Sequence, residues 1–196
     1  MVVKICGITN REDALAAAAL GATAIGFVFH PESPRSILPK DALPICQALP
    51  SDVWKVGVFV NRAADCVSKI ALRLGLDVVQ LHGEEQPADY PEGLRVWKAF
   101  RVRKELDAAH IELCPAEAVL LDGPANGQSF DWALAAGKTK RIVVAGGLDP
   151  DNVREAIRAA RPWGVDASSR LEVSPGKKDH AKMARFLKAA LEEDPI

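Results

Sequence analysis

The sequence is short of the features that announce most specialised chemistries. Its four cysteines, at positions 6, 46, 66 and 114 of 196 residues, include no CxxC pair, so neither a disulfide framework nor a thiolate metal site is spelled out. Two of the four fall in helical patterns, where a thiol packs as a small apolar group, and such usage suits a reducing compartment. No His, Cys, Asp or Glu cluster stands at metal-ligand spacing, and there is no P-loop or dinucleotide fingerprint. An excess of one charge is also missing: 25 Lys and Arg face 26 Asp and Glu, which removes the field that nucleic acid or a membrane surface would need. No apolar run approaches membrane-spanning length, no charged-then-apolar leader precedes the first strand pattern, and no internal repeat suggests a solenoid. The expectation is a cytoplasmic chain with no nucleic-acid or membrane partner, in which any anionic ligand must be caught by local groups.

What is present is alternation. Val2-Val3-Lys4-Ile5-Cys6 is a β-branched run of strand length that reaches a thiol and breaks at Gly7. Thr9 or Asn10 can cap the helical pattern from Arg11 to Leu20. The run Ala24 to Phe29, bounded by Gly21 and Pro31, reads as a strand buried on both faces. A helix at Leu43 to Leu49 with Pro44 near its start, a strand at Val53 to Val60, a helix from Ala63 to Leu74 closed by Gly75, and a strand at Asp77 to Leu81 continue the pattern. Next come a short helical piece near Glu84 to Tyr90, a strand at Arg95 to Phe100, a helix at Lys104 to His110, and a strand from Ala118 that runs into Asp122. Asp131 can cap a short helix at Trp132, Arg141 to Ala145 is a seventh strand, and Asp149-Pro150 opens a helix through about Ala160. Gly164 to Asp166 is a very short eighth strand, and a polar loop to Lys178 leads into a closing amphipathic helix from about His180 to Leu191. Eight strands alternating with helices predict an α/β fold, a (β/α)8 TIM barrel forming a single domain over residues 1–196. Such barrels typically run to about 250 residues, so short connections and at least one truncated helix are required. The alternative, a doubly wound open sheet, needs fewer strands.

In barrels of this kind ligands bind at the carboxyl ends of the strands, where the chemically distinctive residues of this sequence fall. Cys6 ends the first strand and Asp122 the sixth, and alternation allows both to face one mouth. A thiol and a carboxyl so placed form an acid/base pair: the thiolate takes a carbon-bound proton while the acid protonates an oxygen. That role needs Cys6 below its reference pKa of about 8.5, with help from Lys4 and the following helix N-terminus. Taken alone, Cys6 also reads as a packing thiol and Asp122 as a turn residue before Gly-Pro. Gly146-Gly147 and Ser168-Ser169 follow strands seven and eight, where barrels often hold phosphate; glycine backbones approach an anion closely and the serines add hydroxyls. Either pair by itself is also an ordinary turn. Arg35, in the proline-bearing loop after the second strand, can fork onto a carboxylate. Gln80 and His82 alternate inward at the end of the fourth strand. The loop Gly123 to Ser129 is long enough to close over a site.

The ordered motifs KICGIT, GFVF followed by SPR, VGVFVN, QLHG, LLDG, FDW, AGGL, GVDASS and PGKKD resemble those of the phosphoribosylanthranilate isomerase family of tryptophan biosynthesis, along nearly the whole chain. The resemblance implies a barrel of minimal size and a cofactor-free Amadori rearrangement of an aminoaldose phosphate to an aminoketose phosphate. It implies Cys6 as general base, Asp122 as general acid, Arg35 as the contact for the anthranilate carboxylate, and Gly146, Gly147, Ser168 and Ser169 as the phosphate site. Arg170 stands where the family commonly has glycine, and the loop 123–129 lacks the usual glycine cluster. The partner is then a small phosphorylated substrate, with the chain acting as a monomer or homodimer. The competing readings are another sugar-phosphate aminoaldose isomerase and a non-catalytic phosphate-binding barrel.

Overall fold

In the computed structural model, which describes residues 1–103, 106–125 and 127–192, eight parallel strands close into a barrel in sequence order. They are β1 (Val2–Cys6), β2 (Ala24–Val28), β3 (Trp54–Phe59), β4 (Val78–Leu81), β5 (Val96–Arg101), β6 (Ala118–Asp122), β7 (Arg141–Val144) and β8 (Gly164–Ala167), with β8 pairing back onto β1. The expected barrel is therefore the observed one. The period of two that selects strands also sorts their side chains. Val2, Ala24, Val56, Val78, Leu120 and Val143 pack with Trp97 in one cluster inside the barrel. Val3, Ile25, Phe27, Leu81, Leu121 and Val144 join helix residues such as Ala17, Val67, Ile157 and Leu187 in the larger cluster outside it.

Helices α1 (Arg11–Ala19), α2 (Pro39–Ala48), α3 (Ala64–Leu74), α4 (Ala108–Leu113), α5 (Val153–Ala160) and α6 (His180–Glu192) cover the barrel. Asn10 caps α1 by accepting from the Asp13 N–H at 2.8 Å. The barrel is short because two crossovers carry only a 3₁₀ turn, Pro87–Asp89 between β4 and β5 and Trp132–Ala135 between β6 and β7. Asp131 caps the second turn through the Ala133 N–H.

Three expectations are corrected. Helix α2 starts at Pro39 and carries Pro44 in its interior; the donor that Pro44 lacks would serve the carbonyl of Lys40, and both residues are exposed, so the missing bond falls on the solvent side of the helix. The helix expected at Lys104 to His110 runs Ala108–Leu113 with Asp107 as its cap; Lys104 and Glu105 lie outside the described residues. The polar loop before the last helix holds a hairpin, β9 (Glu172–Ser174) and β10 (Lys177–Lys178), which carries the buried side chains of Glu172 and Lys178 to the barrel rim.

The amino end of the barrel is plugged by Trp54, Trp97 and Trp163, with ring centroids 5.6 to 6.2 Å apart. Arg95 lies 4.3 Å over Trp54 and Arg141 5.3 Å over Trp163, and Glu117 pairs with both arginines. The opposite, carboxyl end is open.

Candidate active site

The open end holds a cavity of about 390 Å³, and all nine residues singled out in the sequence line it. Cys6 and Asp122 stand on its floor at the ends of β1 and β6. Asp122 is oriented by its own turn, with Oδ1 accepting from the Gly123 N–H at 2.9 Å. Its Oδ2 lies 3.4 Å from His82 Nε2, within ion-pair range but not aligned as a hydrogen bond, so that Nε2 is buried without a hydrogen-bond partner. Nδ1 of His82 faces the Gln80 amide nitrogen at 3.3 Å. With that nitrogen donating, Nδ1 is the acceptor and the proton of the neutral ring sits on Nε2, toward Asp122.

One wall is made of backbone. Gly146 and Gly147 both take positive φ, 82° and 65°, and a methyl built on Gly147 would lie 2.9 Å from the Gly127 carbonyl oxygen. Only glycine fits where the loop after β7 turns this tightly against the loop after β6. Among the described residues, the N–H groups of Gly146, Gly147, Ser168 and Ser169 donate to no protein acceptor. Four unspent donors at one end of a cavity form a cradle for an anion. Ser168 Oγ donates to the Cys6 carbonyl at 3.0 Å, tying the end of β8 to the end of β1. Arg170 extends along the same wall, with Nε and Nη2 on the Gly127 carbonyl at 3.2 and 3.0 Å.

Arg35 reaches the cavity from the loop after β2, but its fork is occupied. Nε and Nη2 grip Glu172 at 2.8 to 3.0 Å, and Glu172 also accepts from Lys178 Nζ at 2.8 Å. The Nη1 edge is what remains for a ligand. Burial opposes charge on Glu172, but the bonds from Arg35 and Lys178 outweigh it and hold the carboxyl below its ordinary range. This cluster is invisible in sequence, since 137 residues separate Arg35 from Glu172.

Sequence reasoning also missed Asp166. Its side chain points inward from β8, lines the cavity, and accepts from Lys4 Nζ at 2.9 Å. The signal was available: in GVDASS, alternation puts Asp166 on the same inward face as Ser168. The expectation that Cys6 lies below its reference value is corrected. Burial pushes the thiol up, and Lys4 opposes this only in part. Arg101, at the end of β5 opposite Asp122 in register, adds a further cation to the rim. Among the described residues no group of three or more His, Cys, Asp or Glu side chains is set to hold a metal ion.

Residues 3–189 match the family model described as PRAI, N-(5'phosphoribosyl)anthranilate (PRA) isomerase. A relative from Solibacter usitatus (strain Ellin6076), named N-(5'-phosphoribosyl)anthranilate isomerase, is 53% identical over 196 residues, covering 97% of each chain. A crystal structure of phosphoribosyl anthranilate isomerase in complex with reduced 1-(o-carboxyphenylamino)-1-deoxyribulose 5-phosphate is 44% identical with a TM-score of 0.90, covering 98% of this chain and 100% of that one. A structure of generated monomers of the dimeric enzyme from Thermotoga maritima is also 44% identical, with a TM-score of 0.89 and the same coverage. The chain belongs to the N-(5'-phosphoribosyl)anthranilate isomerase family.

Proposed function

We propose that this chain converts N-(5-phosphoribosyl)anthranilate to 1-(2-carboxyphenylamino)-1-deoxyribulose 5-phosphate, the Amadori step of tryptophan biosynthesis, with Asp122 as acid and Cys6 as base. The observation that carries this reading is one cavity with a carboxyl and a thiol on its floor and four free backbone N–H groups on one wall. The N–H cradle takes the phosphate and the Nη1 edge of Arg35 the anthranilate carboxylate. Asp122 protonates the ribose ring oxygen as the bond from that oxygen to C1′ breaks, and the anthranilate nitrogen supplies the electron pair that forms the Schiff base. Cys6 then removes the C2′ proton, giving an enolamine, and tautomerisation yields the ketone. Gln80 and His82 sit beside Asp122 and serve as substrate contacts on that side.

All four thiols are free, and no helix among the described residues is long and apolar enough to cross a membrane; both features are in keeping with a cytoplasmic enzyme. The chain acts as a monomer or a homodimer, a reading supported by the dimeric Thermotoga maritima relative and the monomers generated from it. The test is turnover of freshly generated phosphoribosylanthranilate, followed by loss of its fluorescence, in wild type and Asp122→Asn. Rapid loss in wild type and near-abolition in the variant are expected. A wild-type protein that binds phosphate ligands without turnover would instead be a binding barrel or an isomerase of another aminoaldose.

A further inference from the structure

A base that takes a carbon-bound proton works as a thiolate, yet Cys6 is buried, and burial favours the neutral thiol. Beside it stands one buried ion pair. Lys4, two residues back on the same inward face of β1, has a fully buried side chain whose Nζ donates to Asp166 Oδ1 at 2.9 Å. The thiol and the lysine share one hollow, and Gly26 makes it. Gly26 is the register partner of Cys6 on β2, and a methyl built on it would lie 2.7 Å from Cys6 Sγ and 3.0 Å from Lys4 Cε. Any side chain at position 26 would fill that hollow and force the two groups out of it.

The other ionisable groups near Cys6 are tied to partners of their own or lie across the mouth. Lys178, on β10, is paired with Glu172 at 2.8 Å. Arg35, packed against the Gly7 turn, grips the same Glu172. Asp122 and His82, across the mouth, face one another at 3.4 Å. Lys4 and Asp166 are the charges that bear most strongly on the thiol, with Lys178 adding a smaller pull toward the anion, and the two act with opposite sign. The ammonium favours a nearby anion, and the carboxylate disfavours it.

We propose that Lys4 and Asp166 are positioning residues that set the charge of Cys6, with Lys4 drawing it to the thiolate through the hollow over Gly26 and Asp166 restraining it. The value of such a base is then decided by how much of the Lys4 ammonium Asp166 engages. This rests on the isomerase reading for its catalytic meaning, but its test does not need the substrate.

The test is the pH dependence of Cys6 alkylation by iodoacetamide in the intact protein, read at the Cys6 peptide by mass spectrometry. Lys4→Met moves the midpoint up by about one to three pH units, and Asp166→Asn moves it down by a similar amount. A merely structural role has no reason to move the two variants in opposite directions. Lys4→Met leaves a buried carboxylate alone and can fail to fold; Asp166→Asn is close to isosteric, so its downward movement decides the matter alone. An unchanged or raised midpoint in Asp166→Asn overturns the proposal. In turnover, the acid limb of the kcat/KM profile follows the same two directions. If the midpoints move as expected while wild type does not turn over phosphoribosylanthranilate, the charge assignment stands and the isomerase reading falls.

Discussion

His82 Nε2 lies 3.4 Å from Asp122 Oδ2, while its other ring nitrogen faces the amide of Gln80. The histidine thus stands between a neutral group that sets its tautomer and the carboxyl that is the acid of the proposed reaction. Replacing Gln80 by Met removes the donor to Nδ1 and frees the ring to take the other tautomer. The expected cost is about tenfold in kcat, roughly 1.4 kcal/mol in the barrier, together with a rise in KM from the lost substrate contact. Steady-state kinetics of Gln80→Met check this, and an unchanged kcat would show that the His82 tautomer has no bearing on the acid.

Cys6→Ser keeps size and removes the readily formed thiolate. Turnover should fall by several powers of ten while affinity for a product analogue holds, because the base acts in the transition state. Calorimetric titration alongside kinetics separates the two quantities. Unchanged turnover would remove Cys6 from the mechanism.

The Arg35–Glu172–Lys178 cluster joins the loop after β2 to the β9–β10 hairpin. Glu172→Gln leaves two cations without their anion in a largely buried place, and breaking a buried pair costs on the order of 3–5 kcal/mol. The urea midpoint should fall accordingly. Arg35→Lys loses the bidentate grip and the Nη1 edge together, so both stability and KM should suffer.

Trp97 is fully buried in the barrel, and its indole N–H has no hydrogen-bond partner. Trp97→Phe removes an unpaired donor along with some volume, so its net cost should stay below that of Trp97→Ala, which falls at about 3–5 kcal/mol. Denaturant midpoints of the two variants provide the check. A Phe variant as unstable as the Ala variant would show that the N–H is satisfied.

Stability should fall at both ends of the pH scale. Asp13 accepts from the Lys178 N–H, Asn10 and His180; burial opposes its charge, but these bonds outweigh it and depress the carboxyl. Its contribution is therefore present above the unfolded value of about 3.9 and is lost as pH falls through the lower folded value. Burial pushes the Cys46 thiol up to about 11. Its contribution is present below the unfolded value of about 8.5 and is lost as pH rises from there toward the folded value. Asp13→Asn should flatten the acid limb and Cys46→Ala the alkaline one, read from urea midpoints across pH.

How much could be read in advance differs by element. The barrel was legible because each strand is a local apolar run and each βα unit a local alternation, and a period of two assigns inward and outward faces without knowledge of the neighbours. By the same local logic Cys6, Asp122 and the Gly-Gly and Ser-Ser pairs fell at strand ends. Helix limits were less legible: Pro44 reads as a boundary, yet packing of Ala42, Ile45 and Cys46 against the core holds a helix through it.

What only the closed barrel decided is which distant groups meet. β8 pairs with β1, which puts Asp166 on Lys4 across 162 residues and turns a strand residue of no evident role into the partner of the lysine beside the thiol. The β9–β10 hairpin brings Glu172 to Arg35, so an arginine that reads as a free fork is already gripped on one edge. Local pattern specifies where a side chain points, but its charge depends on burial and on partners that only chain closure supplies. For that reason the sequence alone determined the positions of the groups proposed to react, and the tertiary structure decided that the Cys6 thiol is buried beside the Lys4–Asp166 pair.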